Sequence, residues 1–307
     1  MSRGALQGPL KNTIAMSATL LDGKKLAAEM RADIARQVAD LKASRGVTPG
    51  LGVILIGTDP ASTSYVTAKE RACEEAGMFS LDVRVPAETT QEEALALVRR
   101  MNDDPRVHGI LVQLPLPRHI DEAAVINAIA PEKDVDGFTP VNVGRMMIGE
   151  TCFLPCTPHG IIQMLLKTGV QTAGQHAVVI GRSNIVGKPV AHLLMRKAEG
   201  GNATVTVCHT GTRDLAAYTR QADILVVAAG RPGTVTGSMI KPGAVVIDVG
   251  VNRIPDASKK NGFRLVGDVD AASVSEVASL LTPVPGGVGP MTITMLLANT
   301  LEAARRL

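Results

Sequence analysis

A tyrosine and a lysine four residues apart are the first pair in this sequence whose types and spacing suit chemistry. Tyr65 and Lys69 follow a Gly-Thr-Asp-Pro turn, in a segment that predicts a helix from about Ser62, and residues four apart lie on one helical face. A lysine at such a position is most often a solvated surface charge. At the ligand-binding edge of a parallel sheet, partial burial would instead lower its pKa and suit it to general acid or base catalysis.

Two further polar residues lie where a buried strand and a turn are expected. Gln113 is near the end of the apolar run 108–114, where it is either a hydrogen-bonded core amide or part of a site. Asp136 lies in the loop 131–138, and its Asp-Gly pair is a common turn signal. Its carboxylate is also suited to accept paired N–H donors from an amino-substituted heterocycle. The residues alone leave both alternatives open.

A strand, a glycine turn and a helix start follow one another at 176–194. The apolar run 176–180 predicts a buried strand, Gly181 breaks it, and Pro189 suits the first turn of a helix from Gly187. Such a turn holds a dinucleotide pyrophosphate, because free amides and the helix dipole face the anion. Ser183 replaces the second glycine of G-x-G-x-x-G, so the motif alone favours a dinucleotide no more than an ordinary strand–helix turn.

The segment after the next predicted strand bears on which dinucleotide is bound. Related folds place an acidic residue there, against the ribose hydroxyl. In this sequence the segment 208–213 contains no acidic residue, and the first one after the strand is Asp214. Arg182 and Arg213 would instead face an extra phosphate, which favours NADP over NAD. The alternative is that both arginines are solvated surface charges, as most arginines are.

The elements that would position these residues alternate strand and helix along the chain, the pattern of parallel sheets wound by crossover helices. We therefore expect an α/β protein of two domains, each a mainly parallel sheet with flanking helices. The second domain is expected to be Rossmann-like, with the C-terminal helix returning to the first. The predicted strands are 51–56, 81–85, 108–114, 176–180, 203–208, 223–228 and 244–249, and predicted helices include 91–101, 161–166, 292–305 and one between Asp22 and Gly46.

The domain boundary is predicted near the two prolines of segment 154–160. We assign 17–156, together with the helix 288–307, to the catalytic domain and 157–287 to the dinucleotide-binding domain. Residues 1–16 are predicted to be a disordered extension, since they lack the amphipathic arginine face of a transit peptide. The prolines of segment 283–292 predict a bent loop rather than a flexible linker.

Composition excludes several classes of function. The 307 residues are 45% hydrophobic and 20% charged, typical of a folded protein with room for two cores. The net charge of +3 is too small to indicate a nucleic-acid partner, and no apolar run reaches the ~20 residues of a membrane span. The cysteines form no metal-binding pattern, so we expect no metal and favour a reducing, cytoplasmic compartment. They are Cys73, Cys152, Cys156 and Cys208.

Six motifs in order make the sequence resemble the bifunctional methylenetetrahydrofolate dehydrogenase/methenyltetrahydrofolate cyclohydrolase family. The resemblance covers the chain from Leu20 to its C-terminus, and although each motif alone is weak, the ordered set is specific. The motifs are Tyr65-x-x-x-Lys69, GILVQLPLP at 109–117, KDVDGF at 133–138, PCTP at 155–158, GRSNIVGKP at 181–189 and PVPGGVGPMT at 283–292.

The resemblance implies two coupled reactions in one cleft. NADP⁺ accepts a hydride from 5,10-methylenetetrahydrofolate, and water then adds to the methenyl cation, which yields 10-formyltetrahydrofolate. Lys69 is implied as the catalytic lysine, with Tyr65 packed on the pterin, Gln113 orienting the lysine and Asp136 anchoring the amino-pyrimidine edge. The resemblance also implies a homodimer formed through the cofactor domain. Its implied cofactor contacts are Gly181, Arg182, Ser183, Val251, Thr157 and Thr292, with Thr210 at a position that varies in the family.

Two other classes of function fit the same fold. One is a dehydrogenase that acts on another small substrate without a hydrolytic step, and the other is a ligand-binding protein without catalysis. Ligand binding alone needs no lysine aligned with a glutamine, which argues against the second. The bifunctional reading is chemically coherent, because the methenyl cation is itself electrophilic. The protein then only has to hold a water molecule and manage one proton, which a lysine beside a glutamine does without a metal.

Overall fold

The computed structural model describes residues 17–259 and 262–307. The predicted extension 1–16 lies outside the described residues. In chain order the strands and helices are β1 (Thr19–Leu20), α1 (Gly23–Arg45), β2 (Gly50–Ile56), α2 (Pro60–Glu75), β3 (Phe79–Val85), α3 (Gln91–Asp103), β4 (Gly109–Val112), α4 (Glu122–Asn127), α5 (Pro140–Ile148), α6 (Cys156–Lys167), β5 (His176–Ile180), α7 (Gly187–Met195), β6 (Thr204–Cys208), α8 (Leu215–Thr219), β7 (Ile224–Val227), β8 (Val245–Asp248), β9 (Asn252–Pro255), β10 (Phe263–Val266), α9 (Ala271–Ser275), β11 (Leu280–Leu281) and α10 (Val288–Arg306).

The first half of the chain is built on a three-stranded parallel sheet in the order β3-β2-β4. Every residue of the central strand β2 is buried, because helices cover both faces of the sheet. Leu51, Val53 and Leu55 pack with α1, α2 and α10, while Ile54 and Ile56 pack with α3 and α4. This burial on both faces is why β2 is a continuous apolar run.

The second half is built on a six-stranded parallel sheet in the order β1-β11-β8-β7-β5-β6. Apolar side chains fill both of its faces, with α6 and α7 on one side and α9 on the other. The strands β9 and β10 form a separate antiparallel pair. The outermost strand β1 comes from the start of the described chain and runs parallel to β11. These two mainly parallel sheets with flanking helices confirm the predicted fold class.

The C-terminal helix α10 returns to the first half of the molecule, as predicted. It packs against α1, α6, β2 and β4, and its apolar side chains Met295, Leu297 and Leu301 join the core around β2. Asn299 is buried on the same helix, and its Nδ2 donates to Val135 O at 2.8 Å and to Leu154 O at 3.0 Å. The helix therefore also holds the backbone beside Asp136.

Two helices begin earlier than predicted. α6 begins at Cys156 instead of 161, and α10 at Val288 instead of 292. Pro158 and Pro290 lie in the first turns of these helices, where a residue needs no backbone N–H to bond within the helix. Treating the prolines as helix breakers was the error in both predictions.

Candidate active site

Lys69 is a buried amine whose position is set by α2 and by the end of β4. The Asp59 side chain accepts the Ser62 N–H at 2.8 Å and so caps the start of α2. Lys69 lies further along α2, on the side of the helix that faces the protein interior, and is only 7% exposed. Its Nζ donates to Oε1 of Gln113 at 3.0 Å, and Nε2 of Gln113 donates to Leu114 O at 2.8 Å. That second bond fixes the amide so that its oxygen faces the lysine.

Burial makes the neutral form of Lys69 easier to reach. It lowers the pKa of the amine, and the opposing effect of the Asp136 carboxyl is weaker. Burial likewise raises the pKa of Asp136, against the Lys69 charge and with a further increase from Asp134. Lys69 therefore loses its proton more readily than a solvated lysine, which suits it to the transfer of a single proton.

Asp136 is held in place by its neighbour Asp134, which sequence reasoning did not single out. Asp134 Oδ1 accepts the N–H groups of Gly137 and Phe138 at 3.0 and 3.1 Å, and Oδ2 accepts the N–H of Thr139 at 2.8 Å. Gly137 has a φ of +72°, and a Cβ there would lie 2.6 Å from Phe153 O. Only glycine fits this turn, so the Asp-Gly pair shapes the loop, and the Asp136 carboxyl lies near enough to Lys69 for the two charges to interact.

Cys156 is a buried thiol next to this group of polar residues. Its Sγ lies 3.3 Å from Val135 O as a hydrogen-bond donor. Burial raises the pKa of the thiol well above its ordinary value, and the neighbouring Asp136 raises it further. Cys156 therefore stays protonated and is unsuited to be a nucleophile or metal ligand. Within 17–259 and 262–307, no three His, Cys, Asp or Glu side chains are grouped to hold a metal ion.

Tyr65 links the buried lysine to an open cleft between the two sheets. The cleft has a volume of about 780 Å³, and α1, α2, the end of β8 and the glycine- and proline-rich segment 283–290 line it. Tyr65 is 37% exposed, and burial raises the pKa of its phenol, which stays neutral. Among the described residues that line the cleft, it is the one member of the predicted catalytic set. Its ring is therefore placed to flank a planar ligand.

The glycine turn after β5 has the predicted strand–turn–helix form. Gly181 has a φ of +118°, and a Cβ there would overlap Ala228 O at the end of β7, so the position requires glycine. The Ser183 hydroxyl accepts the N–H groups of Val186 and Gly187 at 3.1 and 3.3 Å. These two amides at the start of α7 are thus bonded within the chain rather than free, which differs from the sequence-based expectation.

Three of the other predicted cofactor residues lie at the sheet edge or along the cleft. Arg182 and Thr210 are exposed and follow the adjacent parallel strands β5 and β6, at the carboxyl edge where such sheets bind ligands. Val251 follows β8 and lines the cleft with 48% of its surface exposed. The cationic Arg182 at the sheet edge suits a phosphate group, and the apolar Val251 in the cleft suits a planar ring, as in a dinucleotide.

Thr157 and Thr292 come together as a pair. Their hydroxyl oxygens are 2.9 Å apart, and the contact joins the first turn of α6 to the first turn of α10. Thr292 lies in α10, just after the segment 283–290 that lines the cleft. The structure thus brings Lys69, Gln113 and Asp136 into one group, places Tyr65 and Val251 on one cleft, and leaves the predicted phosphate-end residues at the sheet edge.

Several buried polar residues that sequence reasoning missed organise this site. Asp134 lies in the same Asp-x-Asp-Gly motif as Asp136, and the motif alone does not say which carboxylate faces inward. Asn299 interrupts an apolar helical stripe, which is a detectable signal because a buried amide needs partners.

In the described chain, no helix is long and apolar enough to cross a membrane. The four cysteines are all free thiols, namely Cys73, Cys152, Cys156 and Cys208.

Two family models match this chain. The model for the tetrahydrofolate dehydrogenase/cyclohydrolase catalytic domain matches residues 21–136, and the model for the NAD(P)-binding domain of the same family matches residues 155–307. The first match ends before α5 and the second begins one residue before α6, so the residues between the matches lie where the chain passes from one sheet to the other.

Curated relatives and solved structures agree with these matches. The sequence is 59% identical to the bifunctional protein FolD of Moorella thermoacetica, covering 95% of this chain and 100% of the relative. A FolD methylenetetrahydrofolate dehydrogenase/cyclohydrolase from Campylobacter jejuni is 48% identical with a TM-score of 0.88, covering 94% of this chain and all of that chain. The Trypanosoma brucei enzyme, complexed with NADP and an inhibitor, is 43% identical with a TM-score of 0.90, covering 94% and 98%.

Proposed function

The chain belongs to the tetrahydrofolate dehydrogenase/cyclohydrolase family, and we propose that Lys69 is the residue that accepts and returns a proton in the hydrolytic step. The protein is a bifunctional enzyme that oxidises 5,10-methylenetetrahydrofolate with NADP and hydrolyses the resulting 5,10-methenyltetrahydrofolate to 10-formyltetrahydrofolate. The observation that carries the proposal is the buried amine of Lys69, held by Gln113 Oε1 at 3.0 Å.

In the hydrolytic step, Lys69 accepts the proton that water loses. The carbon between N5 and N10 of the methenyl cation is electrophilic, so the oxygen of water bonds to it without a metal or a strong base. Gln113 holds one N–H of the amine, which leaves the nitrogen lone pair of the neutral lysine directed away from the amide. The protonated lysine then returns the proton to N5 as the bond from the one-carbon unit to N5 breaks. The hydroxyl on that carbon loses its own proton to solvent as the C=O bond forms, and the formyl group stays on N10.

Asp136 and Tyr65 hold the substrate in position for this proton transfer. The Asp136 carboxylate accepts paired N–H donors from the amino-pyrimidine edge of the pterin, a bidentate contact that fixes the orientation of the ring. Tyr65 packs against the face of the planar substrate. Such positioning contributes to rate because the reacting atoms start close to their reactive geometry.

The cofactor contacts are proposed at the carboxyl edge of the six-stranded sheet and along the cleft. When bound, NADP⁺ supplies the hydride acceptor for the oxidative step. Arg182 and Arg213 are exposed after adjacent strands and suit the phosphates, while Val251 offers an apolar surface. The remaining proposed contacts are Gly181, Ser183, Thr210, Thr157 and Thr292.

We propose the same domain division as the sequence indicates, with 17–156 and 288–307 in the folate-binding domain and 157–287 in the cofactor domain. The packing of α10 on β2 and β4 supports it. We also propose a homodimer formed through the cofactor domain, because β6 is an edge strand with an exposed Val207 and exposed edges favour pairing. The four free thiols support a cytoplasmic location.

The test is the hydrolysis of added methenyltetrahydrofolate by Lys69→Met. We expect the variant to lose this activity and to retain NADP⁺ affinity, because methionine fills similar space without a proton acceptor. Lys42→Met, at an exposed position in the last turn of α1, is the matched control and should hydrolyse normally. Hydrolysis at the wild-type rate in Lys69→Met would remove the lysine from the mechanism. A coupled assay with NADP⁺ and NAD⁺ side by side measures the cofactor preference.

A further inference from the structure

Two buried carboxylates lie at the carboxyl edge of the six-stranded sheet and have no part in the chemistry described above. Asp248 ends β8, Asp268 follows β10, and their side chains are 3% and 0% exposed. Burying a carboxylate is unfavourable unless its oxygens accept hydrogen bonds. The bonds of these two residues therefore show what the carboxylates hold in place.

The Asp268 carboxylate joins the loops that follow β7 and β8. Its Oδ2 accepts the N–H groups of Ala229 and Gly230 at 2.7 and 2.8 Å, which come directly after β7. Its Oδ1 accepts Nδ2 of Asn252 at 2.8 Å, and Asn252 is the neighbour of Val251 in the cleft. One side chain thus fixes two loops against each other.

Asp248 fixes the position of Asp268 itself. Oδ1 of Asp248 accepts the N–H of Gly250 at 3.0 Å and of Asp268 at 2.9 Å, and Oδ2 accepts the N–H of Val269 at 3.1 Å. The backbone N–H of Asp248 donates to Thr282 Oγ1 at 2.7 Å, just before the segment 283–290 that lines the cleft. The two carboxylates therefore connect three loops at the same sheet edge.

Two glycines pack so closely against these carboxylates that neither position has room for a side chain. A Cβ at Gly250 would overlap Asp268 Oδ1, and a Cβ at Gly267 would overlap Asp248 Oδ2. Ala228, next to the amides that Asp268 holds, contacts the turn at Gly181 so closely that a Cβ there would overlap its carbonyl. A displacement of the Asp268 carboxylate is therefore passed to Gly181 on one side and to Val251 on the other.

We propose that Asp268 is a positioning residue for NADP, which sets the relative placement of the loop after β7, the turn at Gly181 and the segment at Val251. The proposal rests on the proposed cofactor contacts of Gly181 and Val251. Asp268 acts through backbone amides, and its charge strengthens those bonds because a charged acceptor binds N–H groups more strongly than a neutral one. An amide at this position has one acceptor oxygen fewer and turns an NH₂ group toward donors.

The experiment measures NADP⁺ binding to Asp268→Asn by titration calorimetry. We expect the Kd to rise about tenfold or more, since charge-assisted bonds to two amides are weakened, and the KM for NADP⁺ to rise with it while kcat at saturating cofactor changes less. Hydrolysis of added methenyltetrahydrofolate needs no oxidant and should stay within about twofold of wild type. A defect confined to cofactor binding is the result that a general loss of folding does not produce.

Asp223→Asn is the matched control. Asp223 Oδ2 accepts the backbone N–H of His176 at 2.9 Å at the opposite end of the same sheet, and Oδ1 accepts from Lys241 Nζ. The substitution therefore tests the loss of partly buried, charge-assisted bonds away from the cofactor. We expect lower thermal stability and an unchanged Kd for NADP⁺. An equal rise in Kd in this control, or wild-type affinity in a folded Asp268→Asn variant, would overturn the proposal.

Asn252→Ala provides a second variant if Asp268→Asn does not fold. It removes the bond to Asp268 Oδ1, together with the longer ones from the same Nδ2 to Val266 O and Gly267 O at 3.5 and 3.2 Å. It should weaken NADP⁺ binding about threefold, whereas unchanged binding would overturn the proposal. The outcome is separable from the test of Lys69, because the Lys69 test measures hydrolysis of the folate and this one measures affinity for the cofactor.

Discussion

Replacing Gln113 with leucine tests whether the hydrogen bond to Lys69 contributes to hydrolysis. The bond is 3.0 Å long and ends on an amine that is only 7% exposed, so water does not readily replace the lost acceptor. Hydrogen bonds to charged groups contribute about 1.5–3 kcal/mol. At about 1.4 kcal/mol for each factor of ten in rate, hydrolysis of methenyltetrahydrofolate should slow by roughly 10- to 150-fold.

Gln113→Glu separates the electrostatic part of the effect from the geometric part. A carboxylate at this distance from Nζ would raise the pKa of Lys69, opposing the effect of burial. A smaller fraction of the amine is then neutral at pH 7, and the rate should recover only at higher pH. The assay is the decay of methenyl absorbance from neutral to alkaline pH, corrected for the reaction without enzyme.

Gln91→Leu is the control for loss of an amide in the same half of the molecule. Gln91 Oε1 accepts the Asp121 N–H at 2.7 Å, so the substitution should lower stability without slowing hydrolysis. The reasoning fails if Gln113→Leu hydrolyses at the wild-type rate, or if Gln113→Glu shows the wild-type pH profile.

Two more predictions concern stability and the cofactor. Burial lowers the pKa of His159 to about 4, and the charge of Arg196 lowers it further in the same direction. Below pH 6.5 the folded protein therefore binds fewer protons than the unfolded chain. Its free energy of unfolding then decreases as the pH falls. His159→Gln should remove about 2 kcal/mol of the loss between about pH 6.5 and 5, and denaturant titrations with equal pH dependence in both proteins would contradict this. Gly181→Ala should weaken NADP⁺ binding at least tenfold, since the position combines positive φ with an overlap at Ala228 O; calorimetry should show no change for Gly174→Ala, where φ is +77° but no atom lies within 4 Å.

Continuous or alternating apolar runs made most of the architecture predictable. The predicted strands 176–180 and 51–56 match β5 and β2 to within one residue, because strands covered on both faces are uniformly apolar. The pairing of Lys69 with Gln113 was implied only by the family resemblance, since helix spacing and strand ends do not say which two side chains meet. The two-residue strand β1 was not, because its pairing with β11 is between distant parts of the chain.

The polar contacts that support the site were the least predictable part. Ser183 was expected to replace a glycine and to contact the cofactor, yet its hydroxyl accepts two amides of α7. Asp248 and Asp268 are 20 residues apart in sequence and meet because Asp248 oxygens accept the backbone N–H groups of Asp268 and Val269. Such bonds depend on how loops from different strands meet, and no local pattern of residue types encodes that.

Each half of the molecule is completed by a segment from the opposite end of the chain. The strand Thr19–Leu20 extends the sheet of the second half, and the helix Val288–Arg306 fills the core of the first. Neither half therefore corresponds to an uninterrupted piece of gene that could be cut out, expressed alone or exchanged with a foreign partner. Any recombination that separated the two halves would leave the six-stranded sheet without its edge strand and the three-stranded sheet without one of the helices that cover it.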